Sequence, residues 1–388
     1  MKAAAQNLLI QCGISPQDRE LIRLYGLHGN AAIADVRSWF SSIEFEHISS
    51  ECACMAAVMC AESGYEGVPE ALRPRLKGLL RYHRMLNSGL LASMCSLIRD
   101  YNRLDIDVLV MKGAAIKIGY HSNYVRPMWD VDILVREADF QPAVQFAQSL
   151  GYRGKWAHHS IDLTRGSTEC IDLHRVYLRD LSSRTSHNYW PECRKMFWNG
   201  ATFFVPEENA LLVQLLVNTY NNFAQCSGIR APLKWVMDLD ALLQGAKNID
   251  WDKAVRLARE LEVAPQVSVV LAAYDCVLPQ RVDIDRLLLQ LNARSQGKRL
   301  AKFVSRYHRI NSLFRHPPQD CSALRLAWIH IRWLWLNCQV VNPGSTLHAL
   351  RTFPGYLRGE LRMNSLLELP AVAVRKLKKH HKARNEEL

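Results

Sequence analysis

The sequence lacks any run of about twenty uncharged apolar residues, the length that a membrane-spanning helix needs. The nearest approach, residues 324–341, is interrupted by Arg325, His330, Arg332 and Asn337. The first residues contain a short apolar run, but they show neither a long apolar core nor a clear small-residue cleavage site, so they do not resemble a signal peptide. We therefore expect a cytoplasmic protein without a transmembrane segment, with peripheral attachment to a membrane as an alternative.

The eleven cysteines include no Cys-x-x-Cys pair. Cys52 and Cys54 have the wrong spacing for a zinc knuckle, so the sequence does not predict a structural zinc site. The cysteines are scattered and odd in number, which favours reduced thiols in a cytosol. Internal repeats and low-complexity linkers are also absent.

The overall composition is that of a folded protein, with 49% hydrophobic and 22% charged residues. At 388 residues the chain is too long for one ordinary core, so two or three folded domains are expected. The formal charge of +12 predicts attraction to polyanions: nucleotides, nucleic acid or an anionic membrane. Charge alone does not choose among these partners.

Hydrophobic periodicity divides the chain into four regions. Residues 1–100 read as an N-terminal helical region, 101–206 as an α/β core, 207–300 as a helical domain, and 301–388 as a C-terminal helical region with a basic tail. Short runs rich in Val, Ile and Leu predict strands in the core over residues 105–111, 130–135, 169–176 and 201–205.

The tail beyond residue 342 carries nine basic residues against four glutamates. Such a charge run is most often a solvated surface. Together with the net charge, it is also suited to binding RNA or an anionic lipid surface. The basic residues are Arg351, Arg358, Arg362, Arg375, Lys376, Lys378, Lys379, Lys382 and Arg384.

Asp130 and Asp132 are the sharpest chemical signal. Residues i and i+2 of a strand point to the same face, about 6–7 Å apart along the chain. Two carboxylates so placed repel each other unless a cation lies between them, and both can reach a hard cation such as Mg²⁺. The alternative is an exposed strand end with two solvated aspartates.

Two further motifs flank this pair. Upstream, Lys112 and Gly113 form a turn between a predicted strand and a helix, where glycine lets the backbone approach a phosphate and the helix start supplies N–H donors. Downstream, Asp172 offers a third carboxylate, and His174 shares its face of the strand. The structural alternatives are a solvated turn lysine, a strand-edge aspartate and an ordinary structural histidine.

The order of these motifs resembles the polymerase-β-like nucleotidyltransferase core. More closely, it resembles a bacterial family of uncharacterised nucleotidyltransferases, over roughly residues 75–280. The motifs that carry this resemblance are Lys112-Gly113, Tyr120, Arg126-Pro127, Asp130-Val-Asp132-Ile-Leu-Val135, Ile171-Asp172-Leu173-His174, Leu233-Lys-Trp235-Val-Met-Asp238-Leu and Ile249-Asp-Trp251.

The chain departs from the wider superfamily at two places. Its turn is Lys-Gly where Gly-Ser or Gly-Gly is usual, so the serine that would bind a phosphate is missing. Asparagines stand where a histidine is expected in a later helix, at Asn218, Asn221 and Asn222.

The resemblance implies an α+β fold, with a small mixed-sheet core flanked by N- and C-terminal helical regions. It also implies transfer of a nucleoside monophosphate from ATP or another nucleoside triphosphate to an acceptor hydroxyl, with Mg²⁺ or Mn²⁺. Asp130, Asp132 and Asp172 would be the catalytic metal ligands, and Asp172 would help to deprotonate the acceptor. The nucleotide would be bound by Lys112, Gly113, Arg126 and His174.

The acceptor stays open among a small molecule, a peptide or protein, and an RNA end. Two other function classes also stay open. The first is a catalytically inactive relative that binds a nucleotide or a partner protein, which the missing serine favours and the three carboxylates disfavour. The second is a basic, membrane-associated accessory protein in which the α/β unit is only a scaffold.

Overall fold

The computed structural model describes residues 1–304 except 157–159, 167–168, 179–188, 226–232, 247–248, 280–281, 293–294, 296 and 300, and beyond them only Arg332 and Trp335. The basic tail, with its predicted RNA or membrane partner, therefore lies outside the described residues. Within the described ranges, no helix combines the length and the apolar character needed to cross a membrane.

The N-terminal part is helical. The sequence marks two helix starts clearly, because the Ser15 side chain accepts from the Asp18 N–H in a capping box and Ser49 accepts from the Cys52 N–H. The helices are α1 (Lys2–Gln11), α2 (Pro16–Tyr25), α3 (Ile33–Ser41), α4 (Ser50–Glu62) and α5 (Arg73–Asn102). Helix α4 is buried over most of its length, from Cys52 to Cys60, where its residues are small or apolar, and α5 packs against the sheet that follows.

One mixed sheet forms the core. Its strands are β1 (Val108–Val110), β2 (Val131–Val135), β3 (Arg153–Trp156), β4 (Ser160–Arg165), β5 (Glu169–His174), β6 (Cys193–Trp198) and β7 (Ala201–Pro206), with helices α6 (Lys112–Gly119) and α7 (Glu137–Ser149) between strands. The strand order is β3-β4-β5-β2-β1-β7-β6. The pairs β2–β5 and β1–β7 are parallel, and the other neighbours are antiparallel. The predicted α+β class with a mixed sheet is confirmed.

All four predicted strands are present, with slightly different ends, but the sheet contains three more. The central strands β1 and β2 are buried at every position, which is why their apolar runs are visible in the sequence. Strand β3, at one edge, is exposed at all four positions, and β6, at the other edge, has no fully buried residue. Edge strands bury little apolar surface, so their sequences carry a weak signal.

Among the described residues, the helices with defined bounds after the sheet are α8 (Glu208–Gln225), α9 (Lys234–Gly245), α10 (Trp251–Glu260), α11 (Ala264–Val277) and α12 (Ile284–Gln290). Helix α11 is buried along most of its length and packs against both α8 and α1. The N- and C-terminal helices therefore share a core, and the buried residues form one cluster from Ala5 to Val304. The division into four regions stays a prediction.

A buried ion pair ties α9 to the loop before β2. Arg126 Nε lies 2.9 Å from Asp238 Oδ1, and Tyr124 donates a hydrogen bond of 2.5 Å to the same oxygen. Both charged side chains are buried. Asn87 of α5 also donates to the Arg126 carbonyl (3.0 Å), so the loop is held from both sides. Because the loop leads directly to Asp130, this pair helps to position the residues of the candidate site.

We expect Arg126→Met to lower the free energy of unfolding by about 3–5 kcal/mol, because it leaves the Asp238 carboxylate buried without its cation. The double variant Arg126→Met/Asp238→Asn should lose less free energy of unfolding than the two single variants lose together, since the two groups interact directly. Urea denaturation of the wild type, both single variants and the double variant measures the coupling. Additive costs would show that the pair does not hold α9 to the loop.

Candidate active site

Six of the seven residues predicted for the site line one cavity of about 340 Å³, and the seventh, Gly113, follows Lys112 in the chain but is not part of the lining. It lies where β2 and β5 run side by side next to the start of α6, with α8 and α9 forming further walls. The lining residues are Lys112, Arg126, Asp130, Asp132, Asp172, His174, Val176, Tyr177, Leu178, Gln214, Val217, Asn218, Asn221, Asn222, Lys234 and Asp238.

The parallel pairing of β2 with β5 brings the carboxylates together. Asp132 and Asp172 are direct partners in the register of the two strands, so their side chains are neighbours on one face of the sheet. Asp130 lies immediately before β2, which begins at Val131, and it is half-buried, whereas Asp132 is buried. Three carboxylates separated by up to 42 positions in sequence therefore face one space.

Two cationic side chains compensate part of this negative charge. His174 Nε2 lies 3.0 Å from Asp132 Oδ1 and 2.8 Å from Asp172 Oδ2. The ammonium of Lys112 forms an ion pair with the same oxygen of Asp132. Burial by itself would lower the pKa of His174, but its hydrogen bonds to the two carboxylates outweigh burial and raise it. The imidazole thus bridges the two carboxylates that face each other across the strands.

The compensation is uneven across the acidic residues. Burial would raise the pKa of Asp132, but Lys112 and His174 outweigh burial and hold that pKa well below its ordinary range. The pKa of Asp130 is raised, first by burial and then by repulsion from Asp132. Asp130 is therefore the carboxylate whose ionised form the protein itself does not stabilise, and an added cation at this place would stabilise it.

The turn between β1 and α6 is strained, and neighbouring side chains hold it in place. Lys112 has a φ of +50°, in the left-handed region, which costs a non-glycine residue on the order of 1 kcal/mol. Gln214 of α8 accepts a hydrogen bond from the Lys112 N–H (3.3 Å) and donates one to the Tyr177 carbonyl (3.3 Å). This backbone conformation places the lysine beside Asp132, within the cavity.

Gly113 begins the first full turn of α6 under close steric restriction. A Cβ at this position would overlap the guanidinium of Arg126, so no larger residue fits without moving that side chain. The N-cap residue Met111 makes no side-chain cap, and of the first N–H groups of α6 that of Lys112 is bonded to Gln214. The N–H groups that follow it remain able to bind an anion in the cavity. Arg126 lines the same cavity and also pairs with Asp238, so it has a structural role. Its contact with a phosphate stays a prediction.

The donor set fits a divalent metal ion. Ligand atoms of Asp132, Asp172 and His174 lie within 4.8 Å of one another. The second oxygen of Asp172, Oδ1, is buried and has no hydrogen-bond partner among the described residues. A buried carboxylate oxygen left without a partner is costly, and a cation would satisfy it. Carboxylate oxygens are the ligands that Mg²⁺ and Mn²⁺ prefer.

Sequence analysis missed two walls of the cavity. Gln214, Asn218, Asn221 and Asn222 project from α8 at spacings of three and four residues, and Lys234 opens α9. The signal for the first wall was present, because polar residues at helical spacing interrupt an otherwise apolar helix. The asparagines were noted only as a departure from the family pattern. Lys234 lies within the Leu233-Lys-Trp235 motif of the family resemblance, but that motif alone does not assign it to the site.

The two aspartates of the Asp-x-Asp motif should affect stability in opposite directions. In the metal-free protein at pH 7, Asp130→Asn should raise the midpoint of thermal unfolding, because a carboxylate whose pKa is raised on folding destabilises the folded state when ionised. Asp132→Asn should lower the midpoint. Its pKa falls on folding, so it contributes stability above the ordinary value of 3.8, and its loss leaves Lys112 buried without its partner.

Thermal denaturation in the presence of a chelator compares the wild type with each variant. Equal losses of stability in the two variants would contradict this assignment of the charge compensation.

Two solved structures are similar to part of this chain. Antibiotic-resistance factor ANT(2'')-Ia, solved in solution, is 11% identical with a TM-score of 0.31, and the match covers 48% of this chain and 92% of that one. An antigenic nucleotidyltransferase-like protein from Paracoccidioides brasiliensis is 17% identical with a TM-score of 0.29, covering 48% of this chain and 94% of that one. Among curated proteins, none matches this chain.

One family model matches residues 53–279, which is more than half of the chain. The match includes every residue predicted for the site and begins earlier than the predicted start near residue 75. The predicted family resemblance is thereby confirmed: the chain belongs to the family described as uncharacterised nucleotidyltransferases.

Proposed function

We propose that this nucleotidyltransferase moves a nucleoside monophosphate from a nucleoside triphosphate to an acceptor hydroxyl, with Mg²⁺ or Mn²⁺ held by Asp130, Asp132 and Asp172. One observation carries the proposal. An under-compensated group of carboxylates, the strained Lys112 turn and the start of α6, which has no cap from its own N-cap residue, all face the same cavity. This combination suits a ligand that brings together a divalent cation and a polyphosphate.

The reaction forms a bond between the acceptor oxygen and the α-phosphorus and breaks the bond from that phosphorus to the β-phosphate bridging oxygen, so pyrophosphate leaves. When bound, the divalent cation neutralises phosphate charge and polarises the reacting phosphoryl group. Lys112 and the first N–H groups of α6 bind the phosphates and offset the charge that develops on them. Arg126, in the same wall, adds a second positive charge.

Asp172 is the residue proposed to take the proton of the acceptor hydroxyl. Its Oδ1 is the buried oxygen that lacks a hydrogen-bond partner among the described residues. A carboxylate oxygen has two lone pairs, so beside the cation it is also able to accept a hydrogen bond from an incoming hydroxyl. His174 contacts the other oxygen, Oδ2, at 2.8 Å and thereby orients the carboxylate. Replacing His174 removes this orientation while leaving Asp172 itself in place.

A second candidate function is nucleotide binding without turnover. It is favoured by the pairing of Asp132 with Lys112 and His174, which satisfies this carboxylate in the absence of a metal. The two functions differ in one measurable product, because only the enzyme releases pyrophosphate. Incubation with γ-labelled nucleoside triphosphates tests for that product. Incubation with α-labelled nucleoside triphosphates and cell extract shows whether a small molecule, a protein or an RNA end receives the label.

The location and the macromolecular partners are also proposals. We expect the protein in the cytoplasm, with the basic tail binding RNA or the surface of an anionic membrane. Deletion beyond residue 370 should abolish binding to RNA or to anionic vesicles, because it removes Arg375, Lys376, Lys378, Lys379, Lys382 and Arg384. Gel-shift and vesicle co-sedimentation assays measure the two alternatives. Undiminished binding by the truncated protein would identify the tail as an ordinary solvated surface.

The chain contains its own control for the metal site, since Asp105 and Asp107 form a second Asp-x-Asp at the exposed start of β1. Titration calorimetry with each nucleoside triphosphate and Mg²⁺ or Mn²⁺ should show metal-dependent binding. Asp130→Asn/Asp132→Asn should weaken it by about 100-fold or more, because outer-shell partners of a metal alone are worth about 10–100-fold.

Asp105→Asn/Asp107→Asn should leave this binding unchanged. Asparagine suits the control because Asp105 has a φ of +55°, which asparagine tolerates well. Equal binding by both double variants would refute the proposed metal site.

A further inference from the structure

The α8 wall of the cavity consists of four primary amides on one face of the helix: Gln214, Asn218, Asn221 and Asn222. Gln214 lies at the end of the cavity where the phosphates are proposed to bind, because it accepts a hydrogen bond from the Lys112 N–H. At about 1.5 Å per residue, Asn218 lies about 6 Å and Asn222 about 12 Å farther along the helix axis. The three asparagines therefore extend away from the turn where the phosphates are proposed to bind.

These three asparagines are half-buried and have no hydrogen-bond partner among the described residues. By contrast, Gln214, on the same face, accepts from the Lys112 N–H of the turn and donates to the Tyr177 carbonyl after β5. Half-buried amides without protein partners are available to a ligand that supplies donors and acceptors.

Aliphatic side chains accompany the amides. Val217 lies beside Asn218 on α8, and Val176 and Leu178 come from the segment after β5. The wall therefore combines hydrogen-bonding amide groups with apolar surface, which suits a planar ring whose faces are apolar and whose edges carry donors and acceptors.

The charges in this part of the cavity indicate that the bound group is neutral. Away from the metal-binding carboxylates, the lining contains one acidic residue, Asp238, and Arg126 already pairs with it at 2.9 Å. A polycation would find no free carboxylate in this part of the described lining. Lys234 is the cation near Asp130, at the metal end, where it lowers the pKa of that carboxylate.

We propose that Asn218, Asn221 and Asn222 bind the nucleobase of the nucleoside triphosphate, an inference that rests on the proposed function. A primary amide presents an N–H donor beside a carbonyl acceptor, and each base has an edge that offers the complementary pair, as in the two-bond contact of Asn or Gln with adenine. The ribose spans the distance between this wall and the phosphates at Lys112. The same three residues then determine which base the enzyme prefers.

Inorganic tripolyphosphate distinguishes binding of the phosphates from binding of the nucleoside, since it has the phosphates but no nucleoside. Calorimetry in Mg²⁺ should show that wild-type protein binds its preferred triphosphate more tightly than tripolyphosphate. Asn218→Ala/Asn221→Ala/Asn222→Ala should weaken binding of that triphosphate by about 10- to 100-fold, the value of a base contact of this kind. Binding of tripolyphosphate should not change, and the preference among ATP, GTP, CTP and UTP should disappear.

Asn30→Ala is the matched control, because Asn30 is an exposed asparagine outside the cavity and bonds only the nearby Leu27 carbonyl. If the triple variant does not fold, the single variants Asn218→Ala and Asn222→Ala replace it, each with a smaller loss of nucleotide affinity expected.

Three results overturn the inference. In the first, the asparagine variants bind every triphosphate as the wild type does. In the second, nucleotide binding is unchanged while labelling of the acceptor falls, which would assign the wall to the acceptor. In the third, neither tripolyphosphate nor any triphosphate binds with Mg²⁺, which would overturn the proposed function as well. If the wild-type protein binds tripolyphosphate and the asparagine variants bind every triphosphate normally, only this inference fails and the proposed function stands.

Discussion

The mutual repulsion of the carboxylates on β2 and β5 is the constraint on which the site depends. The register of these strands makes Asp132 and Asp172 neighbours, and Asp130 adds a third negative charge. Like charges this close need compensation. Lys112 and His174 supply part of it and satisfy Asp132. The remainder, at Asp130 and at the unpartnered oxygen of Asp172, is where the proposed divalent cation would compensate the negative charge.

Supporting contacts keep this arrangement rigid. Gln214 holds the strained turn from which Lys112 reaches the carboxylates, and the absence of a side chain at Gly113 leaves room for the Arg126 guanidinium. Arg126 in turn pairs with Asp238, so α9 is fixed to the loop that leads into β2. Each of these groups lies outside the acidic cluster but restricts the position of a group within it. The helical part of the chain is therefore a wall of the site as well as a cover for the sheet.

Strands whose residues are all buried could be predicted from the sequence, and the exposed edge strands could not. The fully buried strands β1 and β2 appear in the sequence as apolar runs, and their prediction was correct. The exposed strand β3 and the partly exposed β6 carry no such signal and were missed. For the site, the ordered motifs around Asp130, Asp132 and Asp172 predicted residues that the fold does bring into one cavity. The amides of α8 were visible as polar positions at helical spacing, but one sequence could not show which space they face.

By itself, the sequence determined the fold class, the family and the identity of the acidic residues, because these depend on local patterns and on the order of motifs. The tertiary structure decided which groups share the charge. The pairing of Asp132 with Lys112 and His174 spans up to 42 positions, and the contact of Lys112 with Gln214 spans 102. Such pairings arise only when strands adopt a register and helices pack, and no local pattern encodes them. Helix α8 is part of the cavity because of how the helices pack. Its amide side chains are visible in the sequence, but the direction in which they point is not.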